Sequence, residues 1–504
     1  MSRLNDEHLY RNPIIDADLP DPDAIRVGDR YVLTASSFQR APGLPVYVSD
    51  DLVNWRRVAN ALPALEPRGW FREPRHGQGV WAPSIRFHDG RYVIVYPDPD
   101  QGIFVVTAPE PEGPWSEPRL LLAGLGLIDP CPLWDDDGAT YLVHGWARSR
   151  AGRKNVLTVV PVDSELRRVT GPARDVIDGA ELDGWTTIEG PKFHRRGAHY
   201  YIFAPAGGVA TGWQAVFRAS DPFGPYEARV VLAQGGTPVN GPHQGAWVEA
   251  RDGRDWFVHF QDRGPVGRVV HLQPMAWGDD GWPVMGAAVE GGPAEPVLSH
   301  PTPHGTRQGA RTLAADDDFA VGAPGPTWTW QSNPDDDALA PGDGALRIRS
   351  ADDAGNVRTL RRVIGQPVPG TAFRARVGVR VDGEDGARGG LAILGLDYAW
   401  AGVRRTADGA AAVVAIRRRD DLEESVVASV PLEGPETEVE LAVTDEGAIR
   451  ARVGGEDGVE IDPRIDMAEG QWIGAEVVLF SGSGRGRPES VAAFTRFRID
   501  LDED

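Results

Sequence analysis

One pattern recurs five times along this 504-residue chain and limits its fold more than any other feature. An apolar run reaches a polar turn, usually containing glycine, and returns as a run of tyrosine, valine, isoleucine and phenylalanine. The five copies are DAIRVGDRYVLTAS, PSIRFHDGRYVIVY, CPLWDDDGATYLVHG, GPKFHRRGAHYYIFA and GAWVEARDGRDWFVHF. Two alternating runs around a tight Asp/Gly turn make a β-hairpin. The apolar residue ahead of each turn is Ile25, Ile85, Leu133, Phe193 and Trp247, at intervals of 60, 48, 60 and 54 residues. That spacing leaves room for one four-stranded blade per repeat, and five blades make a five-bladed β-propeller. Glycine (61) and proline (42) together supply about a fifth of the residues, which fits an all-β chain rich in turns.

The repeats end before the chain does. Residues 290–312 are dense in turn formers and read as a linker, placing a propeller domain over 1–305. Residues 313–504 carry short, evenly spaced alternating segments such as GALRIRS, FRARVGVRV, AAVVAIRR and EVELAVT. They predict a β-sandwich of jelly-roll or concanavalin-like form.

Stepping back four residues from each anchor gives Asp21, Trp81, Asp129, Glu189 and His243. Equivalent offsets in equivalent repeats fall on one ring, at the entry to the innermost strand. Proline follows or precedes each position closely (Pro22, Pro83, Pro130, Pro191 and Pro242), interrupting the ladder where a pocket would open. Taken singly, each residue has a plainer reading. Asp21 and Asp23 could form an Asx turn, Asp129 could cap one, and His243 could be a satisfied core histidine. The acidic turn Asp135, Asp136, Asp137, Gly138 reads as a solvated hairpin tip rather than a calcium loop, and Trp55 as core. The shared phase is what favours a site.

Three carboxylates in one partly desolvated chamber cannot all ionise in the ordinary range. A neutral acid beside an ionised base is what glycosidic hydrolysis requires. Glu189, behind the apolar run Trp185–Ile188, is the candidate acid, Asp21 the candidate base, and Asp129 the third charge that holds the acid's proton.

These residues lie in stretches that resemble glycoside hydrolase family 43, the β-xylosidase and α-L-arabinofuranosidase family. The matching stretches are NPIIDADLPDPDAIRVGDRYVLTASSF, PGLPVYVSDDLVNW, GVWAPSI, LIDPCPLWDDDG, IEGPKF and GRVVHL. The resemblance implies a five-bladed propeller that hydrolyses with inversion, with Asp21 as general base, Asp129 as pKa modulator and Glu189 as general acid. It further implies that Arg268 bonds sugar hydroxyls beside the modulating aspartate, and that Phe38 and Trp81 wall a pentose subsite. His243 would be the central histidine that commonly ligates Ca2+, an ion that prefers oxygen donors. The stretches DDDFA, TWTWQSNPDDDAL and AFTRFRID resemble the sandwich that follows the propeller in many β-xylosidases, where packing support is the expected role. Cys131 departs from the small hydroxyl residue common at its position.

The expected function is thus an inverting exo-glycosidase releasing terminal β-D-xylose or α-L-arabinofuranose from short oligosaccharides. The alternative is a non-catalytic carbohydrate-binding propeller with a lectin-like sandwich, which would not need three phased acids. A formal charge of -22 argues against nucleic acid or an anionic membrane as partner, and leaves a homo-oligomer open. A single cysteine excludes an intramolecular disulfide, and MSRLNDEHLYRNP lacks an apolar leader, which points to the cytoplasm. No organic cofactor is implied.

Overall fold

The computed structural model describes residues 8–342, 344–351, 355–484 and 490–501; the opening residues 1–7 of the leader reading lie outside them. All five anticipated hairpins form, and each is the start of a four-stranded antiparallel meander. The first strands of these five sheets are Asp23–Val27, Ser84–His88, Leu127–Trp134, Lys192–Arg196 and His243–Glu249.

Strand alternation gives each sheet two apolar faces, and each face joins a different neighbour. In Arg91–Asp98, Tyr92, Ile94 and Tyr96 pack toward the first sheet's Val46 and Val48. Val93 and Val95 of the same strand pack with Leu142 and Val160 of the third sheet. Sheets three and four share Val143, Val159, Phe193 and Ile202, and sheets four and five share Phe203, Val216, Phe257 and Met275. The fifth sheet then returns to the first: Ala246, Val258 and Leu272 share a core with Tyr31, Leu33 and Tyr47. Burying side chains of this size stabilises by roughly 1.5–3 kcal/mol each, so the contacts between sheets hold the array together.

Residues 290–312 are tied down rather than free. Ser299–Pro301 pairs antiparallel with Leu9–Arg11, and Thr306 Oγ1 donates to Asp51 Oδ2 at 2.7 Å. The chain start and the exit from the fifth sheet are thereby fastened together.

Beyond residue 312 the chain forms two stacked antiparallel sheets. One has seven strands, from Thr329–Trp330 at one edge to Ser425–Leu432 at the other; the second has six, from Leu346–Arg349 to Val459–Ile461. Leu391, Ile393, Val477 and Leu479 of the first meet Val377, Val379, Leu441 and Phe494 of the second. The four segments singled out in the sequence fall on strands Leu346–Arg349, Phe373–Asp382, Gly409–Arg417 and Glu436–Val443.

The sandwich docks on the five-sheet array through specific polar contacts. Ala41 and Trp330 exchange backbone hydrogen bonds of 3.0 and 2.7 Å, and the Asn333 side chain bonds both N–H and C=O of Leu65. Arg40 pairs with Glu476, both buried. Among the described residues no helix is long and apolar enough to cross a membrane.

Candidate active site

The site begins with backbone that few side chains tolerate. Asp21 and Asp129 sit at φ of 55° and 56°, in the left-handed region, each immediately before proline. In the fourth and fifth repeats the left-handed residue is one place later, at Gly190 (59°) and Gln244 (37°). The third and fifth sheets carry a bulge at this point, between Ile128 and Cys131 and between His243 and Gly245. Bulges and positive φ re-aim side chains out of a ladder, and both concentrate where function requires it. Equivalence extends to hydrogen bonds: the Trp81 N–H donates to Pro97 O at 3.1 Å, and the Glu189 N–H to Pro205 O at 3.3 Å.

Asp21 is buried. Arg268 Nη1 donates to its Oδ1 at 2.8 Å and Ser36 Oγ to its Oδ2 at 2.5 Å, so both oxygens are held. Asp129 is 4 % exposed, and its Oδ2 accepts the Gly190 N–H at 2.8 Å. Desolvation, then the charges of Glu189 and Asp21, push the Asp129 carboxyl up to about 8. Both neighbouring acids therefore act on Asp129. The Glu189 side chain keeps 29 % exposure, above the buried Ile188 and the Trp185–Trp213 contact that form its apolar flank. His243 Nε2 lies 3.1 Å from Glu189 Oε1.

A fully buried lysine went unnoticed in the sequence. Lys192 Nζ donates to Pro83 O at 2.8 Å and Ser84 Oγ at 2.9 Å, and its charge opposes the rise at Asp129. Its signal was a lysine directly after Gly-Pro in GPKF, at the head of strand Lys192–Arg196. Ser36 was equally overlooked, although TASSF follows the first hairpin directly. Asp23 is structural: its Oδ2 accepts the Ile85 N–H and Arg86 Nη1, linking the first two sheets.

Phe38 and Trp81 meet edge to face with ring centroids 6.3 Å apart, and Trp472 of the sandwich lies 6.3 Å from the other side of Trp81. A cavity of about 280 Å³ runs beside them between the two domains, lined by Arg268, Asp262, Arg419, Gln471 and Trp472. The sandwich packs on the five-sheet array and also brings its 470–473 turn beside Trp81.

Arg268 bonds Asp21 from strand Arg268–Trp277, which belongs to the fifth sheet and packs on the first. In the acidic turn, Asp136 is exposed as anticipated, whereas Asp135 is buried and bonded to Arg195 and Tyr200. His243 brings a metal one nitrogen at most. Nε2 faces Glu189, Nδ1 is buried without a partner, and no group of three or more His, Cys, Asp or Glu gathers as a metal centre among the described residues. That donor set does not fit the oxygen-rich shell of calcium, and no step is assigned to a metal.

Residues 10–283, which hold all three acids, match the model for glycosyl hydrolases family 43. The chain belongs to glycosyl hydrolase family 43. It is a glycosidase, and residues 316–500 match the beta xylosidase C-terminal concanavalin A-like domain. Among relatives of this family 43 enzyme, a putative beta-xylosidase of Xylanibacter ruminicola is 38 % identical over 383 residues, covering 74 % of this chain and 69 % of the relative. A non-reducing end alpha-L-arabinofuranosidase of Bacteroides ovatus is 35 % identical over 301 residues, covering 56 % of this chain; the chain spans 54 % of that relative's length. The crystal structure of a xylan beta-1,4-xylosidase from Bacillus halodurans C-125 superposes with a TM-score of 0.85 at 22 % identity, over 97 % of this chain and 99 % of the other. That likeness shows a common fold across both domains.

Proposed function

We propose that this glycosidase is an inverting, exo-acting enzyme that removes a terminal pentose, β-D-xylose or α-L-arabinofuranose, from short xylan-related oligosaccharides. We read the five sheets as blades of a closed five-bladed propeller, supported by the core that the fifth sheet shares with the first. The observation that carries the reading is the electrostatic effect of two neighbouring acids, Glu189 and Asp21, on the buried Asp129. Asp129 is held protonated near neutrality by desolvation and by the charges of Glu189 and Asp21. Interacting carboxyls titrate as a set, so the chamber retains a proton, while both Asp21 oxygens accept hydrogen bonds from Arg268 and Ser36.

In the proposed reaction Glu189 gives its proton to the glycosidic oxygen as the bond from that oxygen to the anomeric carbon breaks. A water attacks the opposite face of the sugar, its oxygen bonding to the anomeric carbon, and Asp21 takes the proton it releases. Asp129 accepts the Gly190 N–H and, raised by its neighbours, keeps a proton in the chamber beside Glu189. Phe38 and Trp81 supply the apolar wall for the ring. Trp472 narrows the rim, which favours a chain end over the middle of a polymer. The names of the relatives, xylosidases and an arabinofuranosidase, support a pentose.

Proton NMR of the first product released tests the reading: the anomer opposite to that of the substrate is expected, and retention would overturn it. Asp21→Asn should lose activity on every glycoside. Glu189→Gln should fail on natural glycosides yet keep much of its rate on nitrophenyl glycosides, whose leaving groups need little protonation.

A further inference from the structure

Asp18 has no part in the reaction just described, yet it is built into the support of Arg268. Its Oδ1 accepts the Arg268 backbone N–H at 2.7 Å, and the next residue, Leu19, donates its N–H to Arg268 O at 3.0 Å. Both polar groups of the Arg268 peptide unit are thus held from the Asp18–Leu19 segment, three residues ahead of Asp21. The Arg268 side chain then spans to Asp21 Oδ1.

Two glycines show how closely the support is fitted. Gly267, at φ 89°, lies so near that a Cβ there would strike the Asp18 carboxylate. From the sandwich, Gly474 lies over the same turn: a Cβ on it would stand 2.8 Å from Gly267 N and Val266 O. Ala475 N–H donates to Pro265 O at 2.7 Å, fixing that approach. Asp18 is half-buried and surrounded by charge from several elements. Arg268 and the Gly474 amide draw its pKa down and Asp262 raises it; Arg40, paired to Glu476, also feels its charge. Desolvation outweighs these attractions and leaves Asp18 raised to about 6.

We infer that Asp18 is a positioning residue for the proposed base: it fixes the Arg268 backbone between the two domains so that the guanidinium meets Asp21. The inference rests on Asp21 being the base. A misplaced Arg268 leaves water activation impaired whichever leaving group departs, and small displacements of a reacting group lose rate steeply.

The test uses the full-length chain. Asp18→Ala is expected to lower kcat roughly tenfold or more, with KM changed less than threefold, by the same factor on a natural disaccharide and on a nitrophenyl glycoside. In an Arg268→Ala background the added Asp18→Ala change should do little, since the side chain it positions is gone. The isosteric Asp18→Asn keeps an acceptor but loses the charge, and is expected to lose about threefold in kcat with the same leaving-group independence. Wild-type kcat in Asp18→Ala, full additivity with Arg268→Ala, or loss confined to poor leaving groups would overturn the inference. Should Asp18→Ala not fold, a wild-type kcat in Asp18→Asn overturns it alone. Asp21→Asn, measured alongside, separates the two readings: activity retained there removes the base, whatever Asp18 does.

Discussion

Asp129 Oδ2 accepts the N–H of Gly190 at 2.8 Å, so the third repeat's carboxylate grips the peptide that directly follows Glu189 in the fourth. That one contact joins position and charge. It fixes the backbone beneath the proposed acid, and it puts Asp129 where the neighbouring charge raises its own carboxyl. The local cost is evident in the left-handed Asp129 backbone and the bulge beside it. A fold at ease with itself would hold neither.

Asp129→Asn is therefore expected to separate activity from stability. The folded carboxyl is raised above its unfolded value of 3.8, so its contribution to stability is fully present below that pH and is lost as pH rises toward about 8. At pH 7 the wild-type chain carries that penalty, and the amide does not. Calorimetry should find Tm higher by about 3 °C or more, while kcat falls by about a hundredfold.

The alkaline side of the pH profile follows from the same group. As pH rises through about 8 the buried proton leaves, and kcat/KM should decline there. In Asp129→Asn that carboxyl is absent, so the residual activity should no longer decline at about pH 8. An unmoved alkaline limb would show that Asp129 does not govern the proton.

Trp472→Ala tests the rim. The indole is half exposed and faces Trp81 across 6.3 Å, so removing it should leave folding nearly unchanged. Loss of an aromatic contact of about 1 kcal/mol corresponds to roughly fivefold, expected in KM, with kcat within about twofold. Steady-state kinetics on a xylose or arabinofuranose disaccharide measure it.

Acid should weaken the fold through histidines kept neutral. His144 and His259 are fully buried and lowered to about 4, and His271 is lowered well below its usual value, all chiefly by desolvation. Their folded pKa values lie below the unfolded 6.5, so the stability they contribute is present above 6.5 and is lost as pH falls toward about 4. Urea unfolding of Asp129→Asn, in which one opposing carboxyl is gone, should show stability falling over that window. The fall is less steep than the imidazoles alone would give, because Asp18 and Asp98, both raised to about 6, oppose it. A flat profile would mean that these imidazoles take up protons without unfolding.

Chelation addresses the central histidine. With Nε2 of His243 turned to Glu189 and no cluster of metal-binding side chains among the described residues, EDTA-treated enzyme should keep kcat within about twofold. A large loss restored by Ca2+ would place an ion on the unpartnered Nδ1.

Much of this protein was legible in its residues because period-two alternation and turn chemistry are local. Five hairpins, the later strands and the approach of Asp21 and Glu189 to Asp129 could be found by spacing alone. What depends on which sheet packs against which could not. Arg268 lies 247 residues from Asp21 and reaches it only because the fifth sheet closes on the first. Trp472 touches Trp81 only because the sandwich docks by Asn333, Trp330 and Glu476. The chain could declare which acids share a phase; desolvation decided that the Asp129 carboxyl is raised, and burial is a property of the assembled domains, carried by no single segment.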